Sequence, residues 1–84
     1  MTFDDLITII HDELENSRMF YERKEIMRET TLAGDLRCDQ LDVVCFALDI
    51  EDLHGITLPE DKLASLSTVG DLADLVMIAA TVAV

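Results

Sequence analysis

The chain has 84 residues, half of them apolar, and carries 18 acidic against six basic residues, for a net charge of −12. A chain this short has room for one hydrophobic core, so we expect a single domain over residues 1–84 and exclude a two-domain enzyme. The negative charge repels phosphate backbones and anionic bilayers, which excludes nucleic acid and membrane surfaces as partners and favours the basic surface of another protein.

The first predicted helix runs from about Phe3 to Asn16. Thr2 and Asp5 have the spacing of a capping box, and apolar residues recur at helical spacing behind them. The residues predicted to face the core are Phe3, Leu6, Ile7, Ile10 and Leu14.

The segment from Glu15 to Arg37 loses this periodicity and holds five of the six basic residues. We expect a long connection there, a kind of segment that often carries function, with at most a short extra helix from Tyr21 to Arg28. The apolar residues predicted to anchor the connection to the core are Met19, Phe20, Tyr21, Ile26 and Met27.

A second helix is predicted to begin at Asp39, which has the capping spacing to Asp42, and to end at His54 before Gly55. Its predicted inward face contains both apolar and sulfur-bearing side chains. The residues of that face are Leu41, Val44, Cys45, Leu48 and Leu53.

Two further helices complete the prediction. Pro59 suits the first position of a short third helix, and Thr68 with Asp71 suits the start of the last one. The buried stripe predicted for the last helix is Val69, Leu72, Leu75, Val76 and Ala79. No alternating run is bounded by hairpin turns, so we predict an all-α four-helix bundle with a long loop between helices one and two.

The apolar tail from Leu75 to Val84 exceeds what one helix face can bury, yet it is far shorter than the roughly 20 residues of a membrane span. We expect it to pack on the core, and the alternative is a weak homodimer contact. With no charged apolar leader at its start, the chain is predicted to be soluble and cytoplasmic.

The reactive side chains show no catalytic or metal-binding arrangement. Cys38 and Cys45 lie seven positions apart, roughly 10 Å on a helix, so we expect free thiols and place Cys45 in the core. His11 and His54 lack the ligand spacing of a zinc site and are predicted at the surface or its boundary. Since no nucleophilic triad, phosphate loop or carboxylate pair stands out, we predict that the chain is not an enzyme.

Three short motifs in compatible order carry a family resemblance. They are Thr31–Val44 with Gly-Asp-Leu-Arg-Cys-Asp-Gln-Leu-Asp, Ile50–Pro59, and Ser67–Leu72 with Thr-Val-Gly-Asp. Together these motifs resemble the acyl carrier protein family. The resemblance implies a four-helix carrier fold, enzyme docking on helix two, and phosphopantetheine on the serine of an Asp-Ser-Leu motif.

At that serine position this chain has Gln40, and no hydroxyl residue lies between Thr31 and Thr57. A primary amide is not a usable nucleophile toward coenzyme A, so we expect no phosphopantetheine and no other cofactor. Cys38 is the only nearby alternative attachment point, because a helix N-terminus favours a thiolate, although a packed thiol is the expectation. Arg37 also replaces the glycine usual in the family.

The function that follows is a non-catalytic, carrier-like protein that docks to enzymes of a fatty acid, polyketide or peptide pathway. The alternatives are a working carrier attached through Cys38 and a structural or regulatory helical module unrelated to acyl transfer. The residues predicted to bind the partner are Asp39, Asp42, Asp49, Glu51 and Asp52.

Overall fold

The computed structural model describes residues 2–22 and 24–82, and within these ranges the regular structure is helical apart from one isolated antiparallel bridge. Four helices follow one another along the chain. They are α1 (Phe3–Ser17), α2 (Gln40–His54), α3 (Glu60–Leu63) and α4 (Val69–Val82). The predicted all-α fold, with a long first connection and a short third helix, is confirmed.

Reciprocal caps explain why the first two long helices begin where the sequence predicts. The Asp5 amide donates to the Thr2 hydroxyl at 3.2 Å, and the Thr2 amide donates to the Asp5 carboxylate at 3.0 Å. The Asp42 amide likewise donates to Asp39 at 2.9 Å, and the Asp39 amide donates back at 3.1 Å. Gly55 ends α2 with a φ of 64°, the left-handed conformation that glycine adopts without a steric cost.

The starts of α3 and α4 were predicted from Pro59 and from the pair of Thr68 and Asp71. Pro59 precedes α3 as its N-cap and is not its first helical residue, so the prediction for Pro59 was wrong by one position. At the start of α4 the Asp71 carboxylate accepts from the amides of Ser67 and Thr68, both at 3.1 Å. The Thr68 hydroxyl in turn accepts from the Asp71 amide at 3.1 Å, which completes the predicted cap.

The predicted inward face of α2 was wrong. Leu41, Leu48 and Leu53 are exposed, and Val44 and Cys45 are only half-buried. The residues that α2 buries have the i, i+3, i+4, i+7 spacing of one helix face. They are Val43, Phe46, Ala47 and Ile50. Because α2 is apolar around most of its circumference, the periodicity did not decide which side meets the core.

The other long helices follow their predicted stripes closely. In α4 the side chains of Val69, Leu72, Leu75 and Val76 are buried and Ala79 is half-buried. In α1 the buried apolar residues are Leu6, Ile9, Ile10 and Leu14, with Phe3 and Ile7 packed at the edge.

His11 is buried in the structure, so the prediction that it lies at the surface or its boundary was wrong. Its imidazole Nδ1 lies 2.7 Å from the Tyr21 hydroxyl, and the two rings are 5.8 Å apart. This bond holds the connection against α1, and a hydrogen-bonding partner makes a buried histidine acceptable. His54 is exposed, as predicted.

The connection between α1 and α2 comprises residues 18–39, and its described part contains no helix from 21 to 28. Of its predicted anchors Ile26 is buried and Tyr21 is half-buried, whereas Met19, Phe20 and Met27 are exposed. The residues that fasten the later part of the connection are instead Leu32, Leu36 and Cys38, all buried.

Backbone hydrogen bonds join the connection to the start of α4. The Leu32 amide donates to the Ser67 carbonyl, and the Val69 amide donates to the Thr30 carbonyl, both at 2.9 Å. The Gly70 amide donates to the Arg28 carbonyl, also at 2.9 Å. A Cβ at Gly70 would lie 2.9 Å from that same carbonyl oxygen, so glycine is required for this close approach.

Candidate functional site at the start of α2

Gln40 is the first residue of α2, and its side chain is exposed. The Asp39 cap fixes the turn that presents it, so position 40 lies open to an approaching molecule. A primary amide at this place can donate and accept hydrogen bonds, but it has no hydroxyl or thiol with which to form a phosphodiester.

Cys38 lies two residues earlier and is buried, with 7% of its surface exposed. Its thiol donates to the Leu36 carbonyl at a sulfur–oxygen distance of 3.8 Å. Burial, followed by the negative charge of Asp42, raises the pKa of the Cys38 thiol to about 11. Desolvation therefore outweighs the helix N-terminus that would favour a thiolate.

Arg18, the residue that caps the C-terminus of α1, holds the turn before α2 in place. Its Nη1 donates to the Leu36 carbonyl at 2.7 Å and its Nη2 donates to the Arg37 carbonyl at 2.9 Å. The same guanidinium lies 3.6 Å from the Asp42 carboxylate. We call these contacts the Arg18 clamp. The clamp could not be predicted from the sequence, since Arg18 lies eighteen residues or more from its partners.

Arg37 adopts a φ of 55°, in the left-handed region, and is the one non-glycine residue among those described to do so. This conformation favours glycine, because glycine has no Cβ to clash with the carbonyl. The Arg37 side chain is exposed beside the N-terminus of α2.

The five acidic residues predicted to bind a partner do not form one free surface. Asp42 caps α2 and pairs with Arg18, and Glu51 accepts from the Leu58 amide at 3.1 Å. Asp39 caps α2 but is exposed, and Asp52 is exposed with no such contact. Asp39 and Asp52 are therefore the acids of this set that face solvent.

Asp49 and Asp52 border the same groove between α1 and α2, as their spacing predicts. Asp49 is half-buried, however, and hydrogen bonds with Glu13 of α1. This hydrogen bond, together with burial and the charge of Asp49, raises the pKa of Glu13. Asp49 thus belongs to the contact between two helices.

The exposed leucines of α2 were not predicted to belong to the site. Leu41 is 69% exposed and Leu48 is 55% exposed, and a spacing of seven places them on one side of the helix, two turns apart. Asp52 follows Leu48 by one turn on the same side. The stripe of Leu41, Leu48 and Asp52 is the outer face of α2. No feature of the sequence distinguishes an outward leucine in a helix that is apolar around most of its circumference.

Neither a metal centre nor a membrane span is found in the part of the chain that the structure describes. No three of its histidine, cysteine and carboxylate side chains come together as metal ligands. None of its helices has the length and apolar character needed to cross a bilayer.

Comparison with known proteins identifies the family. The model for the phosphopantetheine attachment site matches residues 4–76. An acyl carrier protein from Coprothermobacter proteolyticus is 32% identical over 74 residues, which cover 88% of this chain and 84% of that protein. One from Lactobacillus johnsonii is 29% identical and covers 90% of this chain and 94% of its own. The chain belongs to the acyl carrier protein family.

The fold of a solved acyl carrier protein agrees with this assignment. The solution structure of the acetyl actinorhodin acyl carrier protein from Streptomyces coelicolor superposes with a TM-score of 0.80, at 21% identity, over 100% of this chain and 95% of that one. Acyl carrier proteins are non-catalytic carriers, so the family also places this chain among proteins that are not enzymes.

Proposed function

We propose that this chain is a non-catalytic acyl carrier protein homologue that is not phosphopantetheinylated and works by docking to synthase or transferase enzymes of a fatty acid, polyketide or peptide pathway in the cytoplasm. The observation that carries the proposal is Gln40, exposed at the first residue of α2, where the family resemblance places the serine. The residues present do not fit the cofactor, because the amide cannot supply the phosphodiester oxygen.

The surroundings of Gln40 support the proposal. The buried thiol of Cys38, with its pKa raised to about 11, is a poor substitute nucleophile. The nearest hydroxyls along the sequence are Thr31 and Thr57. Thr31 serves a turn, in which its hydroxyl accepts from the Asp35 amide at 2.8 Å.

Mass measurement tests the missing modification. We expect no mass gain when the purified chain is incubated with coenzyme A and a phosphopantetheinyl transferase. The variant Gln40→Ser should gain one phosphopantetheine, because the turn that presents position 40 is capped and clamped as in the unaltered chain. A gain by the unaltered chain, mapped to Cys38 or to any other residue, would contradict the proposal.

For docking, we propose the outer face of α2, with Asp39 and Asp52 at its rim, opposite a partner whose apolar groove is edged by Arg or Lys. Exposed leucines next to exposed carboxylates are suited to such a surface, since the apolar contact gives affinity and the charges speed association.

The modification rate of Gln40→Ser by the transferase reports on this docking. Adding Leu48→Ser to that variant should lower kcat/KM by tenfold or more, whereas adding Leu53→Ser should leave it within about twofold. Leu53 is a matched control because it is also exposed on α2 but lies off the Leu41–Leu48 side. Equal rates for the two double variants would show that the outer face of α2 is not the docking surface.

A further inference from the structure

From Leu75 onward, α4 has no charged residue and exposes apolar side chains. Leu75 and Val76 pack on the core, as the sequence predicts, but Met77 is 61% exposed and Ile78 is 59% exposed. Residues 75–84 form the longest stretch of the sequence without an acidic or basic residue, in a chain with a net charge of −12. This part of α4 is therefore both apolar and neutral at its surface.

A groove lies beside these side chains, between the start of α1 and the middle of α4, and its volume is about 380 Å³. Arg28 and Asp74 are the charged residues that reach its edge, and they form an ion pair at 2.8 Å. Since the pair has no net charge, the groove favours neither an acidic nor a basic occupant. The apolar residues that line it are Phe3, Leu6, Ala73, Val76 and Met77.

The exposed leucines of α2 differ from this face, because each has an aspartate next to it in the sequence. Two copies that met through α2 would bring these carboxylates together, and like charges placed close together oppose association. Contact through Met77 and Ile78 avoids that cost, since the nearest acid in the sequence is Asp74, which is paired with arginine. The neighbouring pairs on α2 are Leu41–Asp42, Leu48–Asp49 and Asp52–Leu53.

We infer that the face formed by Met77, Ile78 and the adjoining groove binds a second copy of this chain in a symmetric dimer. A two-fold axis sets the same face of each copy against the other, so the exposed side chains of one copy meet an apolar ridge and groove of its partner. The flexible side chain of Met77 suits such a contact, because it fills irregular apolar space. The face includes neither Gln40 nor the outer face of α2, so the inference does not depend on the proposed function.

The dimer is expected to be weak and to respond to salt in a particular direction. Two exposed side chains and a groove cover much less than the roughly 800 Å² per partner of a stable complex. The two copies also repel one another through their net charge. We expect a dissociation constant of about 0.1–1 mM. Because salt screens the repulsion, it should strengthen the dimer, whereas it weakens a complex held by opposite charges.

NMR of the isotope-labelled chain tests the inference, through amide shifts and the rotational correlation time. The protein is diluted from about 2 mM to about 0.02 mM at low and at physiological salt. We expect a monomer–dimer equilibrium whose dissociation constant is at least threefold lower at the higher salt concentration. The shifts should be concentrated at Phe3 and at residues 73–80.

Variants assign the contact to this face. Met77→Ser and Ile78→Ser should each weaken the dimer by at least fivefold. Leu53→Ser removes a leucine of similar exposure from α2 and should change the dissociation constant by less than twofold. Equal effects of the α2 and α4 variants, or shifts centred on α2, would overturn the inference.

Two other results would also overturn it. One is a correlation time that stays at the monomer value at the highest protein and salt concentrations, and the other is an association that salt weakens. Decanoate, added to the dilute protein, tests a different occupant of the groove. Shifts at residues 73–80 with decanoate, in a chain that forms no dimer, would assign the face to a small apolar ligand.

Discussion

Arg37 adopts a left-handed backbone conformation, which costs free energy for a residue that has a Cβ. A left-handed residue with a Cβ costs roughly 1–2 kcal/mol, and only part of that is offset by the smaller entropy that arginine loses relative to glycine. The Arg37 side chain is exposed and makes no ion pair with the residues described, so no such contact offsets the rest of the cost.

We expect Arg37→Gly to raise the free energy of unfolding by about 0.5–1 kcal/mol, because glycine relieves the left-handed strain. Urea denaturation followed by circular dichroism measures it. Arg37→Ala is the control, since it removes the guanidinium but keeps the Cβ, and it should give no comparable gain. A gain from alanine equal to that from glycine would assign the effect to the charge.

For the helix α2, the ends could be predicted from the sequence and the buried face could not. Its boundaries were predictable, because Asp39, Asp42 and Gly55 begin and end the helix through contacts between residues that are close in the sequence. Its buried face was not, because apolar residues occupy both sides and only tertiary packing decides which side meets α1. The predicted acidic docking surface shared this error, since the orientation of the helix turns Asp49 toward Glu13.

The orientation of α2 can be tested by comparing the stability of variants at Ile50 and Leu48. Ile50→Ala should lower the free energy of unfolding by about 2–4 kcal/mol, because Ile50 is fully buried and its loss leaves a cavity. Leu48→Ala should cost less than about 1 kcal/mol, since Leu48 already lies half in water. Denaturant titration of both variants decides which face is buried, and a larger cost for Leu48 would place it in the core.

The acidic residues of the molecule are not all on its surface, because Glu13 and Asp49 lie at the contact between α1 and α2. The pKa of Glu13 is raised by its hydrogen bond with Asp49 and by burial. A group whose pKa is higher in the folded state stabilises the fold below its unfolded pKa, and that contribution is lost as pH rises through the folded value. The contribution of Glu13 therefore declines as pH rises above its ordinary value of 4.5.

We expect Glu13→Gln, whose side chain stays neutral, to remove part of the stability loss that occurs as pH rises above 4.5 toward neutrality. The melting temperature measured across that range tests it, with Glu25→Gln, an exposed carboxyl of the connection, as the control. Asp5 and Asp71 do not interfere, because cap hydrogen bonds lower their pKa values, so their stabilisation is lost only on further acidification. Parallel curves for the two variants would show that ionisation of Glu13 does not cause the loss of stability.

The family and the all-α fold were predictable from short motifs and caps, whereas the contacts that organise the site were not. The Arg18 clamp and the His11–Tyr21 hydrogen bond join residues ten or more positions apart, and a polar residue in a sequence carries no sign of its distant partner. The exposure of Met19 and Phe20 follows from the same cause, because the path of the connection depends on those bonds.

The backbone bonds between the connection and the start of α4 make one closed loop of everything between them, including α2 and α3. The hydrogen bonds donated by the Leu32 and Val69 amides close that loop. Closing it brings together residues more than thirty positions apart, which is entropically costly. These two amides should exchange their hydrogens with solvent only when the whole chain unfolds, while the single turn of α3 inside the loop opens many times between such events.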